Sequence, residues 1–186
     1  PEEFRTKETA DLFLALIVKI LKKNGRASIV LPDSSLFGEG VKTRIKEELL
    51  TKCNLHTIIR LPNGVFNPYT SIKTNLLFFE KGTSTKEIWY YEMPNPEGIK
   101  NFSRSRPIDI KHFNGIKKWW IERKENEHSW KATLNEIKQR NFNLDIKNPR
   151  TSVKETLYST EELLSKIDIS FQKSANLLAE IKKALL

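Results

Sequence analysis

The 186-residue sequence predicts an α/β fold: a sheet covered by helices, then an irregular basic extension and a long C-terminal helix. Three observations predict it. Apolar residues recur at helical spacing over residues 6–23. Short apolar runs bounded by turn residues follow at 27–31, 55–61 and 72–80. A heptad seam occupies the last turns of the chain.

The first helix is read from Leu12, Phe13, Leu16, Ile17, Ile20 and Leu21, with Asn24-Gly25 as its stop and Lys19, Lys22 and Lys23 suiting its dipole. Residues 27–31 follow as a short buried strand ended by Pro32-Asp33-Ser34. A second helix is expected over about 40–51, with Val41, Ile45, Leu49 and Leu50 inward, and then the strand 55–61. This α-β-α-β order with short connections is the grammar of a parallel sheet covered by helices. The strand 72–80 comes after a loop too short for a helical crossover, so it is expected to pair antiparallel. A turn at 81–84 leads to the aromatic strand 87–92 (EIWYYE).

After Met93 the texture changes. Pro94, Pro96 and Gly98 interrupt regular structure, and residues 98–131 mix basic groups with Phe102, Phe113, Trp119, Trp120 and Trp130. One short helical turn is expected at 135–140, and 141–149 looks extended. From Thr160 on, Leu164, Ile167, Phe171, Ser174, Leu178, Ile181 and Leu185 alternate three and four residues apart, with Ser159 or Thr160 as the cap. A helix of about 26 residues is nearly 40 Å long. It reads as an arm for a partner, or else as a helix packed on its own domain. The organisation expected is 1–93 for the sheet, 94–154 for the extension and 155–186 for the helix.

Charge is unevenly placed. Residues 100–154 carry 14 basic and 6 acidic groups, so a net +8 of the chain's +9 sits in one segment. That footprint suits a polyanion such as DNA, or a solvated basic surface. The single cysteine, Cys53, excludes an intrachain disulfide and fits a reducing, cytoplasmic setting. The longest apolar run is too short to span a bilayer. The chain does not begin with Met and reads as a piece of a longer protein. Three scattered histidines with one cysteine suggest no metal site, and Gly38-Glu39-Gly40 lacks the third glycine of a phosphate loop.

The stretch 54–80 organises the rest. Between its two strands lies a Pro/Gly/Asn loop holding Phe66 and Tyr69 beside Asn63, Asn67, Thr70 and Lys73. Two aromatics in such a loop either pack under the sheet or meet a ligand.

The runs GRASIVLPD (25–33), LFG (36–38), RIKEELL (44–50), LPNGVFNPYTSIKTNLLFF (61–79), EIWYY (87–91) and RNFNLD (140–145) occur in one order. Over about residues 5–150 they resemble the second half of the adenine-N6 DNA methyltransferase domain, in particular the modification subunit of type I restriction–modification systems. The resemblance implies the last strands of a Rossmann-like, seven-stranded sheet that uses S-adenosylmethionine. In the family the cofactor binds a glycine-containing motif after the first strand, and catalysis uses an Asn-Pro-Pro-Phe or Asn-Pro-Pro-Tyr motif after the fourth. Neither is in this sequence. Asn67-Pro68-Tyr69 lacks the second proline and follows the sixth strand, so no catalytic residue is assigned here and this piece alone is expected to be inactive.

By the same resemblance Phe66 matches the aromatic that stacks on a flipped adenine, with Asn67, Tyr69 and Thr70 shaping the pocket and Pro32 and Asp33 forming its wall. Lys73, Arg104, Arg106, Lys117, Lys118, Arg123 and Lys124 are candidates for the DNA backbone. The terminal helix, through Leu164, Ile167, Phe171, Leu178, Ile181 and Leu185, would dock on the specificity subunit, alongside the restriction subunit of the same system. The rival reading is a non-catalytic module that clamps DNA and assembles on the specificity subunit. Apolar surface left open in a truncated sheet also makes self-association an expectation.

Overall fold

The computed structural model describes residues 6–150 and 159–185; the side chains of 184 and 185 are outside that description. Residues up to Thr151 belong to one compact unit and Ser152–Leu186 to another.

The first unit is built on a five-stranded mixed sheet of order β1-β3-β2-β4-β5. Its strands are β1 (Arg26–Pro32), β2 (Cys53–Arg60), β3 (Thr74–Lys81), β4 (Glu87–Glu92) and β5 (Ser129–Thr133). Helices α1 (Thr9–Ile20), α2 (Asp33–Phe37) and α3 (Val41–Lys52) precede β2. The expected antiparallel strand is β3, and it pairs on both sides: with β1 through Ile29↔Leu77 and with β2 through Ile58↔Leu77. It therefore lies between β1 and β2, which run parallel to each other, as the α-β-α-β order suggests, without being hydrogen-bonded neighbours. The hydrogen-bonded parallel pair is instead β2 with β4, in register Ile58↔Tyr90.

Both faces of the sheet are covered, which is why β2 and β3 read as near-continuous apolar runs. On one face Leu31, Ile58, Leu77, Phe79 and Tyr90 pack against Leu14 and Val18 of α1, Leu36 of α2 and Leu49 and Leu50 of α3. On the other, Ile59, Leu61, Tyr91 and Met93 pack against Ile116 and Trp119 of α4 (Asn114–Glu122).

The extension is more regular than its composition suggests. It supplies α4, strand β5 and α5 (Leu134–Gln139), the last opened by a capping box between Thr133 and Glu136. Trp130 of β5 stacks on Tyr90 with ring centroids 5.4 Å apart. The segment 141–149, expected to be extended, turns instead: Asn141 and Phe142 both have positive φ. That turn brings the Leu144 carbonyl to the buried Tyr90 hydroxyl, 3.0 Å away.

Helix α1 departs from expectation in which face it buries. Asp11, Leu14 and Val18 face the unit, while Leu12, Phe13, Leu16 and Ile20 are exposed, Phe13 by 55%. Asp11 turns inward because Lys42 and the Ser35 hydroxyl reach it, at 2.8 and 3.3 Å.

The second unit is helix α6 (Thr160–Leu185), a continuous 26 residues. Ser159 caps it: the Ser159 hydroxyl accepts from the Glu162 N–H, and the Glu162 carboxylate accepts from the Ser159 N–H. Along it Leu164, Ile167, Phe171, Leu178 and Ile181 are exposed; the side chain of Leu185 lies outside the described residues. Ser174, the one polar member of the seam, turns its hydroxyl back onto the Ser170 carbonyl at 3.0 Å. Among the described residues no helix is long and apolar enough to cross a membrane.

Candidate functional site

The carboxyl ends of β1 and β2 point the same way, and the wall residues Pro32 and Asp33 and the loop that holds Phe66 stand at or directly after them. Asp33 follows β1 directly and opens α2. The loop 61–73 follows β2. A backbone bond joins the two, the Asp33 N–H donating to the Lys73 carbonyl, and another closes the loop's base, the Leu61 N–H donating to the Thr74 carbonyl, each at 3.0 Å.

The loop has a buried base and an open tip. Leu61, Pro62 and Gly64 are buried, and Val65 packs toward the α4 side of the sheet. Beyond them the chain turns outward, leaving Phe66 39% and Tyr69 93% exposed. Thr70 closes a local turn by accepting from the Ile72 N–H at 3.1 Å, and Lys73 is exposed.

Asn67 does more than line that surface. Its amide donates to the Phe102 carbonyl at 3.1 Å, and the Phe102 N–H donates to the Asn63 carbonyl, also at 3.1 Å. Gly64 has φ of +76°, and a Cβ there would stand 2.3 Å from the same Phe102 carbonyl oxygen. Glycine is needed on both counts. The Phe102 side chain is fully buried and meets His112 edge-on. The extension thus clamps the loop.

The pocket-wall residue Asp33 accepts from Asn75 Nδ2 at 2.6 Å. Asn75 is fully buried and its Oδ1 has no partner among the described residues. Opposite Asn75 on β2 stands Arg60, which donates through Nη2 to the Asp145 carboxylate at 2.6 Å and to the Ile146 carbonyl at 3.0 Å. Burial alone would push the Asp145 carboxyl up, but hydrogen bonds from Arg60 and Lys147 outweigh it and hold it below the usual carboxylate range.

Of the basic candidates, Arg104, Arg106, Lys117, Lys118 and Lys124 are exposed. Arg104 and Arg106 follow Phe102 closely in the chain. Lys117 and Lys118 lie on the open side of α4, whose Ile116 and Trp119 face inward. Arg123 is different: it is half-buried, lies 4.3 Å over the Trp120 ring and donates to the Thr57 hydroxyl at 2.7 Å.

Gly64, Phe102 and Asn75 were not singled out from the sequence. Asn63-Gly64 is a turn signal that announces positive φ, and Asn75 is a lone amide in an apolar strand. Phe102 carries no such signal, because its contacts here are main-chain ones.

Comparison with known proteins matches this geometry to a family. The N-6 DNA methylase profile covers residues 2–156. The methylase subunit of the type I restriction enzyme EcoEI from Escherichia coli is 57% identical over 156 residues, taking in 80% of this chain and 32% of that protein. A solved modification subunit of a candidate type I restriction enzyme from Vibrio vulnificus YJ016 superposes with a TM-score of 0.76 at 44% identity, over 81% of this chain and 34% of that one. A solved chain from work on complex assembly and conformational transition of the type I system also reaches 0.76, at 36% identity, over 97% of this chain and 40% of that one. The chain therefore spans about a third of the length of the curated relatives it matches. On a profile match across most of its length, and on its likeness to type I methylase subunits, the chain belongs to the N-6 DNA methylase family.

Proposed function

We infer that this chain is the carboxyl-side part of a type I modification subunit, which as an intact protein transfers a methyl group from S-adenosylmethionine to adenine N6 in DNA. On this reading β1, β2 and β3 are the last three strands of a Rossmann-like methyltransferase sheet. One observation carries it: in a chain of the N-6 DNA methylase family, the loop after β2 holds Phe66 exposed above a buried, clamped base, at the sheet end where Asp33 also sits. Ligands of open α/β sheets lie beyond carboxyl strand ends.

Chemistry on a duplex base requires that base to leave the stack. An aromatic face that receives it returns about 1–3 kcal/mol of stacking. Phe66 is assigned that role, with Asn67, Tyr69 and Thr70 around it and Pro32 and Asp33 as the wall. Lys73, Arg104, Arg106, Lys117, Lys118 and Lys124 are proposed to meet phosphates.

The residues present do not fit a cofactor site of the family's kind. Neither a glycine-containing turn after a first strand nor an Asn-Pro-Pro-aromatic sequence occurs in the chain. No step of the transfer is therefore assigned to its residues beyond holding the base, and the chain alone is proposed to be inactive. The free, buried Cys53 suits a reducing cytoplasm.

A second reading, a DNA-clamping and assembly module, is favoured by α6, whose exposed heptad seam asks for partner helices. The specificity subunit is the proposed partner, within an assembly that also holds the restriction subunit. The open apolar side of α1 supports self-association of this chain on its own. The test is methyl transfer to adenine N6 in target duplex by the full-length protein with its specificity partner. Transfer is expected; its absence on DNA carrying the right target would favour the assembly reading.

A further inference from the structure

Away from the loop, a cavity of about 580 Å³ opens where the start of β2, the turn between β3 and β4, and Arg123 meet. It falls within the size range of small-ligand sites. Arg123 ends α4 in the left-handed region, φ 47° and ψ 55°, a helix-capping conformation that usually falls to glycine. An arginine kept there delivers a guanidinium instead. That guanidinium is half-buried against Trp120, and no carboxylate among the described residues pairs with it. Burial lowers its pKa accordingly.

Two further donors line the same cavity. Lys86 has no side-chain partner among the described residues. His56 supplies the other. The Thr57 hydroxyl oxygen accepts from Arg123 at 2.7 Å, so its O–H is free to donate to His56 Nδ1, 2.8 Å away. That network assigns the imidazole proton to Nε2, which becomes an N–H donor. Asn54 and Ser84 add neutral donors. The one acid lining the cavity among the described residues, Glu87, is paired with Lys131 at 2.8 Å. Two unpaired cations, an imidazole N–H and neutral donors around one half-open cavity match the chemistry of a tetrahedral oxyanion.

We propose that this cavity is a phosphate-binding site, filled by a phosphodiester of the DNA backbone or by a free phosphate-bearing nucleotide. The oxyanion chemistry stands on the residues lining the cavity; its DNA source rests on the functional reading above. The choice of phosphate over a partner's carboxylates rests on the net +8 of residues 100–154, to which Arg123 belongs.

The test measures equilibrium binding of the full-length protein to short duplex DNA across salt concentrations, and separately to inorganic phosphate and adenosine monophosphate. Wild type is compared with Lys86→Gln and Arg123→Gln. Lys86→Gln breaks no hydrogen bond or ion pair among the described residues, so it serves even if Arg123→Gln loosens the Trp120 region. If the DNA backbone fills the site, each variant weakens duplex binding and flattens the slope of log K against log salt by about one. If a free nucleotide fills it, the duplex slope is unchanged while wild-type binding of phosphate or nucleotide is lost in both variants. No change in either arm of either variant overturns the proposal and leaves the cavity to acidic side chains of a partner. Neither readout needs methyl transfer, so failure of the catalytic reading and failure of this one are told apart.

Discussion

The carboxamide of Asn67 donates to the main-chain carbonyl of Phe102 across 3.1 Å, tying the loop after β2 to a segment 35 residues further on. Loops are usually the mobile parts of a fold. Here the anchor comes from the basic extension, so the geometry of the proposed base pocket depends on residues outside the strands that flank it.

Gly64→Ala is therefore expected to damage the loop more than Asn67→Ala. The new Cβ meets the Phe102 carbonyl at 2.3 Å and sits at φ +76°, a left-handed backbone that costs a side-chain-bearing residue about 1–2 kcal/mol before the clash is counted. Asn67→Ala removes one hydrogen bond, worth about 1 kcal/mol. Thermal unfolding of the full-length protein should rank the two in that order, and methyl transfer should follow the same ranking.

Asp145 links the extension to β2 through Arg60, and its folded-state pKa lies below the ordinary carboxylate value. The ion pair thus adds stability that is complete above the unfolded pKa of about 3.9 and is lost as pH falls through the folded value. Denaturation of wild type from neutral pH to pH 3 should show this acid loss, and Asp145→Asn should flatten it. At neutral pH that variant is expected to cost about 1–3 kcal/mol, since a part-buried guanidinium loses a charge-assisted bond.

Lys46 also has a depressed pKa, set by burial of its charge rather than by an ion pair. It is 2% exposed and donates to the carbonyls of Leu36 and Gly38 at 2.8 Å. Burial, with a smaller push from Lys42, lowers its pKa to about 8. Between that value and the ordinary lysine value of about 10.4 the unfolded chain holds the extra proton. Stability should therefore rise with pH across that window, by about 1 kcal/mol per unit. Chemical denaturation at pH 7.5 and 9.5 should show the rise in wild type and its loss in Lys46→Met.

Helix α6 exposes Phe171 and Leu178 on its seam. If α6 docks on the proposed specificity partner, Phe171→Asp is expected to abolish co-purification with it, since a carboxylate at a heptad core position would be left buried and unpaired. The melting temperature of the unit ending at Thr151 should not move.

Much of the fold was legible because its signals are local. β4 was bounded at its observed residues, since EIWYYE is dense in β-formers and flanked by turns. The helix at Thr160–Leu185 follows from a seam whose three–four spacing holds throughout, with Ser174 its one polar member. What escaped needed a distant partner. SWKAT becomes β5 only by pairing with β4. The nine residues of α4 bury Ile116 and Trp119 against strands far back in the chain. The order of β1, β3 and β2 cannot be read from connection lengths that permit either neighbour. In α1 the widest apolar stripe stays open, and the inward face carries Asp11 because Lys42 meets it. At the candidate site, composition marked the loop and its aromatics, while the clamp through Phe102 is made by backbone atoms that composition does not describe.

The base-holding role of Phe66 is tested most directly by methyl transfer to adenine in target duplex, comparing full-length wild type with Phe66→Ala and Phe66→Trp, each assembled with the specificity partner. Losing a stacking worth about 1–3 kcal/mol should lower kcat/KM by roughly 5- to 150-fold in Phe66→Ala. Phe66→Trp should recover most of it, with cofactor binding and assembly unchanged throughout. Wild-type rates in Phe66→Ala would contradict the account and leave the Phe66 ring as a cap on the sheet.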